Sequence, residues 1–141
     1  MYKQTPTKII TEIQSHITGK TVCDLGCGTG DFLEAMVGYA SNVIGIEQVT
    51  ENANIAAAQG LTIQNRDFLQ GSLPNADIFY SYNNDDVLGQ LLKKILTEDI
   101  KAIFLIAVTG STLANLAMES LTNTKITACN GYFNLYVWNR N

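Results

Sequence analysis

The chain of 141 residues is the size of one domain, and 46% apolar against 16% charged residues excludes a disordered or fibrous polymer. Nine basic residues against 13 acidic ones give a net charge of −4, with no basic cluster to grip nucleic acid unaided. The longest wholly apolar run, Ala102–Val108, is far short of the roughly 20 residues that a membrane-spanning helix needs. Thr5-Pro6 is a helix start, with Ile9, Ile10, Ile13 and Ile17 at helical spacing and Gly19 at the close. Thr21–Leu25 reads as a strand that runs straight into glycines, and Asp31–Ala40 as a helix with Phe32, Leu33, Ala35, Met36 and Tyr39 on one side.

Asn42–Glu47 is a second strand, Thr50–Gln59 a helix stopped by Gly60, and Leu61–Asn65 a short third strand. Gln70–Pro74 leaves little room for a helix before the next strand, Ala76–Tyr82. Asn84 or Asp85 caps a helix over Val87, Leu88, Leu91, Leu92 and Ile95. Ile100–Val108 is the most apolar strand and belongs inside the sheet, covered on both faces. A helix around Thr112–Ser120 follows. Lys125–Cys129 and Tyr132–Trp138 then flank Asn130-Gly131, a hairpin turn signal. The expectation is a single α/β domain over residues 1–141, a doubly wound, mostly parallel sheet of seven strands ending in an antiparallel hairpin.

In such a sheet ligands sit beyond the carboxyl ends of the strands, where strand order reverses. The strongest chemical signal lies there: Val22-Cys23-Asp24-Leu25-Gly26-Cys27-Gly28-Thr29-Gly30-Asp31. Glycines at alternate positions between strand and helix permit a tight turn and let a ligand approach bare backbone. A purely structural turn and a nicotinamide-dinucleotide fold are the competing readings. The dinucleotide pattern would need its third glycine where Asp31 stands. A pyrophosphate also wants a helix start free of carboxylates, whereas Asp24 and Asp31 suit a ligand that carries a sulfonium and an ammonium.

The segment VCDLGCGTGDFLEAM resembles motif I of the class I, seven-strand S-adenosylmethionine-dependent methyltransferases, and the order of elements resembles that Rossmann-like fold over nearly the whole chain. The resemblance implies S-adenosyl-L-methionine as cofactor, held by Asp24, Gly26, Cys27, Gly28 and Gly30. It implies that Glu47, with Gln48 and Val49 beside it, meets the ribose and adenine, because a carboxylate's two oxygens suit a diol. Asp67 and Phe68 after the third strand take the adenine edge, although Arg66 beside Asp67 offers it a plain salt bridge instead. Ser81, Tyr82 and Asn83 correspond in place to motif IV, with Ser81 on the cofactor and Tyr82 and Asn83 as catalytic candidates lining the acceptor site. Asn-Asp-Asp at 84–86 reads equally as a helix cap. The stretch lacks the prolines of enzymes that methylate base or glutamine amino groups.

Tyr2-Lys3-Gln4-Thr5-Pro6-Thr7 resembles the opening of small protein lysine methyltransferases, which implies a protein amine as acceptor. The Thr5-Pro6 opening is separately expected to fold over the cleft as a short lid. A small metabolite is the alternative acceptor, and a non-catalytic cofactor-binding subunit that needs a partner is the alternative function. His16, near the end of the first helix, reads as structural. Cys23, Cys27 and Cys129 lack paired zinc-ligand spacing, so no metal site is expected. The amino terminus is too polar for a secretory signal and lacks transit-peptide arginines, so a cytoplasmic protein with no membrane attachment is expected.

Overall fold

The computed structural model describes residues 7–128 and 133–141. Its elements run α1 (Thr7–Ile17), β1 (Thr21–Leu25), α2 (Asp31–Met36), β2 (Asn42–Ile46), α3 (Thr50–Ala58), β3 (Thr62–Gln64), β4 (Ile78–Tyr82), α4 (Asp85–Thr97), β5 (Ile103–Thr109), α5 (Thr112–Leu121), β6 (Thr124–Ala128) and β7 (Phe133–Asn139). The strands form one sheet in the order β3-β2-β1-β4-β5-β7-β6. β1 to β5 pair in parallel, and β7 runs antiparallel between β5 and β6. The expected closing hairpin is therefore folded back, with the last strand inserted and β6 left at the edge. The Asn130-Gly131 turn, Cys129, Tyr132, the Thr5-Pro6 helix start and the Tyr2–Gln4 opening lie outside the described residues.

Side chains alternate across a strand, so each face of the sheet needs its own cover. On one face Val22, Ile78, Tyr80, Leu105 and Ala107 pack with Ile9, Ile13 and Ile17 of α1 and Phe32, Leu33 and Met36 of α2. On the other, Cys23, Leu25, Phe79, Phe104 and Ile106 pack with Leu88, Leu91 and Ile95 of α4 and Met118 of α5. This is the doubly wound arrangement, with β5 interior and buried as its composition requires.

The departures from the sequence reading have local causes. α2 stops at Met36 rather than Ala40, and Tyr39 is 47% exposed instead of joining the helix's buried side. The Tyr39 carbonyl accepts from Gly19 N–H, and Ser41 N–H reaches the Lys20 carbonyl, so the chain turns away to meet the α1–β1 connection. β5 starts at Ile103 because Ile100 N–H closes the end of α4 on the Ile95 carbonyl. Asn84 is the α4 cap, its side chain accepting from Val87 N–H at 3.0 Å. Between β3 and β4 there is no helix. Among the described residues no helix is long and apolar enough to cross a membrane.

Candidate functional site

The parallel register sets Leu25 of β1 beside Ile46 of β2 and Ser81 of β4, and Ile46 beside Gln64 of β3. The residues that follow these strands therefore converge on one edge. They do so at the switch point, where the chain leaves β1 toward β2 on one side and returns as β4 on the other. A cavity of about 310 Å³ opens there, and its lining includes Gly26, Glu47, Gln48, Asp67, Phe68 and Asn83. Val49, Leu69, Val87 and Gln90 complete it. Seven of the residues singled out from sequence, Val49 among them, thus meet at one cavity.

The glycine loop stands behind this wall, each glycine with a separate task. Gly26, Gly28 and Gly30 all have positive φ, at 86°, 58° and 94°. At Gly26 a Cβ would lie 2.9 Å from Asn83 Oδ1, so bare backbone is needed where the cavity begins. A Cβ on Gly30 would lie 2.6 Å from Leu61 Cδ1 and 3.2 Å from Ala56 Cβ, which makes Gly30 a packing glycine under α3. Gly28 donates its N–H to Glu47 Oε1 at 2.8 Å. Cys27 is buried beneath the loop, its thiol pushed far up by burial first and the Asp24 charge second, so it is a neutral packing group. Gly45 makes room for it: a Cβ there would lie 2.7 Å from Cys27 Sγ.

Glu47, 7% exposed, uses one lone pair of each carboxylate oxygen on backbone: Oε1 on Gly28 N–H and Oε2 on Val49 N–H at 2.9 Å. About one acceptor position per oxygen is left over. Asn65 supports this turn from below, donating to the Glu47 and Gln48 carbonyls. Asp67 Oδ1 accepts from Leu69 N–H at 2.9 Å, which winds residues 67–69 into a turn with Phe68 buried beneath. The salt bridge that Arg66 could have offered Asp67 is not made: its guanidinium donates to Gln64 Oε1 and to the Gln70 and Ser72 carbonyls.

Asp24 does not line the cavity. It is 3% exposed, and burial first, then the Glu47 charge, raises its pKa well above the carboxylate range. The folded chain thus keeps a proton that the unfolded chain loses above about pH 4. The stability this proton confers is complete below the unfolded pKa and is lost as pH rises toward the folded one. Urea melts should show wild type losing stability relative to Asp24→Asn above about pH 4, at up to ~1.4 kcal/mol per pH unit. Parallel pH profiles for the two proteins would mean that Asp24 is ionised in the fold.

At the end of β4, alternation separates the motif IV candidates. Ser81 is buried and accepts from Asn83 Nδ2 at 2.9 Å, while the same nitrogen reaches the Leu25 carbonyl at 3.0 Å. Asn83 is thereby pinned against Gly26. Tyr82 is outside the cavity lining and packs with the α1–α2 face, its ring edge-on to Phe133 at 5.0 Å and its hydroxyl 3.2 Å from Thr109 Oγ1. Leu69, Val87 and Gln90 were missed from sequence. Helix spacing between Val87 and Gln90 was available as a signal, but nothing local says which helix face meets the cavity.

No family model matches the chain. Ubiquinone biosynthesis O-methyltransferases of Paraburkholderia phytofirmans and Paraburkholderia xenovorans are each 38% identical over 50 residues, 36% of this chain and 22% of theirs. The match thus spans about a fifth of the length of those curated relatives. An RNA methyltransferase from Salinibacter ruber, solved with S-adenosyl-L-homocysteine, superposes with a TM-score of 0.77 at 16% identity, covering 97% of this chain and 93% of that one. The N-methyltransferase NodS of Bradyrhizobium japonicum gives a TM-score of 0.70 at 11% identity, covering 94% and 92%. A ribosomal protein methylase of Lactobacillus delbrueckii subsp. bulgaricus gives 0.71 at 18%, covering 99% and 81%. The chain has the Rossmann-like fold of the S-adenosylmethionine-dependent methyltransferases, with the seven-stranded mixed sheet expected from its sequence.

Proposed function

We propose that this chain binds S-adenosyl-L-methionine in the switch-point cavity and transfers its methyl group to an amine acceptor. The observation that carries the reading is Glu47: a buried carboxylate at the cavity wall, oriented by Gly28 and Val49, with acceptor capacity left on both oxygens. Such a group fits a ribose diol. Asp67, with one oxygen committed to Leu69, fits the adenine amino group, and Gln48, Val49, Phe68 and Leu69 supply the walls around the ring. Gly26 is proposed to give the methionine part passage over bare backbone at the cavity wall. The bound cofactor supplies a methyl group on a sulfonium, displaced in line, so alignment is the protein's main contribution.

Asn83 is the residue we assign to that alignment. Its amide nitrogen is committed to Leu25 and Ser81, which leaves Oδ1 to accept from an acceptor N–H. Tyr82, on the other side of β4, is proposed to border the acceptor beyond it. An amine attacks only when unprotonated, and a free lysine at pKa ~10.4 must lose its proton on entering. The acceptor is proposed to be a protein amine, a reading supported by the Tyr2–Thr7 resemblance and by the acidic balance of the chain, which favours basic substrates. A small-molecule or RNA acceptor is the second reading, favoured by the ubiquinone biosynthesis relatives and the Salinibacter ruber RNA methyltransferase.

Incubating the protein with methyl-tritiated cofactor and a cell extract tests both levels. Label that survives nuclease and disappears with protease is the expected result. Label in nuclease-sensitive or dialysable material would overturn the protein acceptor. Binding of S-adenosylhomocysteine without any transfer would leave a cofactor-binding subunit.

A further inference from the structure

The cavity has two walls that no strand pairing joins. One is the turn at residues 67–69, and the other is the first half of α4, through Val87 and Gln90. The chain between β3 and β4 has no helix or strand of its own, so its backbone carbonyls need other partners. Three in succession accept from cations. Arg66 Nη1 donates to the Gln70 carbonyl at 2.9 Å and Nη2 to the Ser72 carbonyl at 2.8 Å, while Nε is braced on Gln64 Oε1 at 2.8 Å. Between them, Lys94 Nζ donates to the Gly71 carbonyl at 2.6 Å and to Glu98 Oε2 at 2.7 Å.

Lys94 is on α4, one turn beyond Gln90 and so on the same helix face. Its side chain is only 8% exposed, whereas Glu98 is 44% exposed. A lysine that sheds this much water for one backbone carbonyl and one half-exposed carboxylate is not there for surface solubility. It ties α4 to the connection, and Arg66 ties the connection to the turn that carries Asp67. Neither side chain lines the cavity.

We propose that Arg66 and Lys94 are positioning residues that set the width of the cavity for the base end of its ligand. This rests on the S-adenosylmethionine reading and deepens it. The two cations act through the backbone of residues 70–72, holding Asp67 and Leu69 at a fixed separation from Val87 and Gln90. The consequence is a preference for one base, since Asp67 discriminates an exocyclic amino group only if the turn is held still.

The test is calorimetric binding of S-adenosylhomocysteine and of its hypoxanthine counterpart, S-inosylhomocysteine, to wild type, Lys94→Met, Lys94→Arg and Arg66→Gln. Circular dichroism and thermal melts check that each is folded. Lys94→Met and Arg66→Gln are expected to weaken S-adenosylhomocysteine about tenfold each, on the scale of one or two lost hydrogen bonds. Both should narrow the preference for adenine over hypoxanthine, and Lys94→Arg should restore most of it. Equal weakening of the two ligands, or no weakening in folded variants, would overturn the positioning role. Wild type that binds neither ligand would overturn the cofactor reading itself.

Discussion

Replacing Glu47 with alanine is expected to abolish measurable S-adenosylhomocysteine binding and to destabilise the ligand-free protein at the same time. The ligand-side loss follows from removing the acceptor for a diol, at ~1.5–3 kcal/mol for each hydrogen bond to a charged group. Two such bonds amount to a drop of at least about a hundredfold in affinity. The ligand-free loss follows from a different pair of contacts. Glu47 holds the Gly28 and Val49 amides, and alanine leaves both N–H groups without that acceptor beside a cavity. A stability loss of roughly 2–4 kcal/mol is expected in urea melts. Glu47→Gln keeps one acceptor oxygen and should fall between the two on both measures. A folded alanine variant with unchanged affinity would remove Glu47 from the site.

Gly26→Val is expected to eliminate binding and to lower stability as well. The residue has φ of 86°, a conformation that costs a β-branched side chain about 1–2 kcal/mol or more. Its Cβ would lie 2.9 Å from Asn83 Oδ1 and push Asn83 off its anchors on Leu25 and Ser81. The added methyl groups would occupy the cavity where backbone is now bare. Gly38→Ala is the matched control, since a Cβ there meets nothing within 4 Å. It should leave both affinity and melting temperature near wild type. Calorimetry on the two variants gives the comparison, and retained binding by Gly26→Val would mean that the loop is only a turn.

Local pattern alone determined a good deal of this protein. β1 runs over Thr21–Leu25 as expected, because a short apolar run that ends in glycine has few other conformations open to it. The helices came from apolar spacing, and the convergence of Gly26, Glu47, Asp67, Phe68 and Asn83 on one cavity came from their places after parallel strands. Alternation along Ile78–Tyr82 already put Tyr82 and Ser81 on opposite faces, so parity was present in the sequence. What the sequence did not contain was which face, and which neighbour, each residue would meet. Strand order decided that. Only the pairing of β1 with both β2 and β4 makes a switch point, and only the inserted β7 puts Phe133 against Tyr82. Arg66 shows the same limit at the scale of one side chain. Its neighbour in sequence is an aspartate, yet three acceptors fixed by the fold, Gln64, Gln70 and Ser72, take its N–H groups instead. A surface ion pair is worth at most about 1 kcal/mol, less than a set of hydrogen bonds arranged in advance by a folded loop. Contacts between residues distant in sequence exist only once the chain has chosen its sheet, and here the bond from Lys94 to the Gly71 carbonyl ties one wall of the cavity to the connection that carries the other.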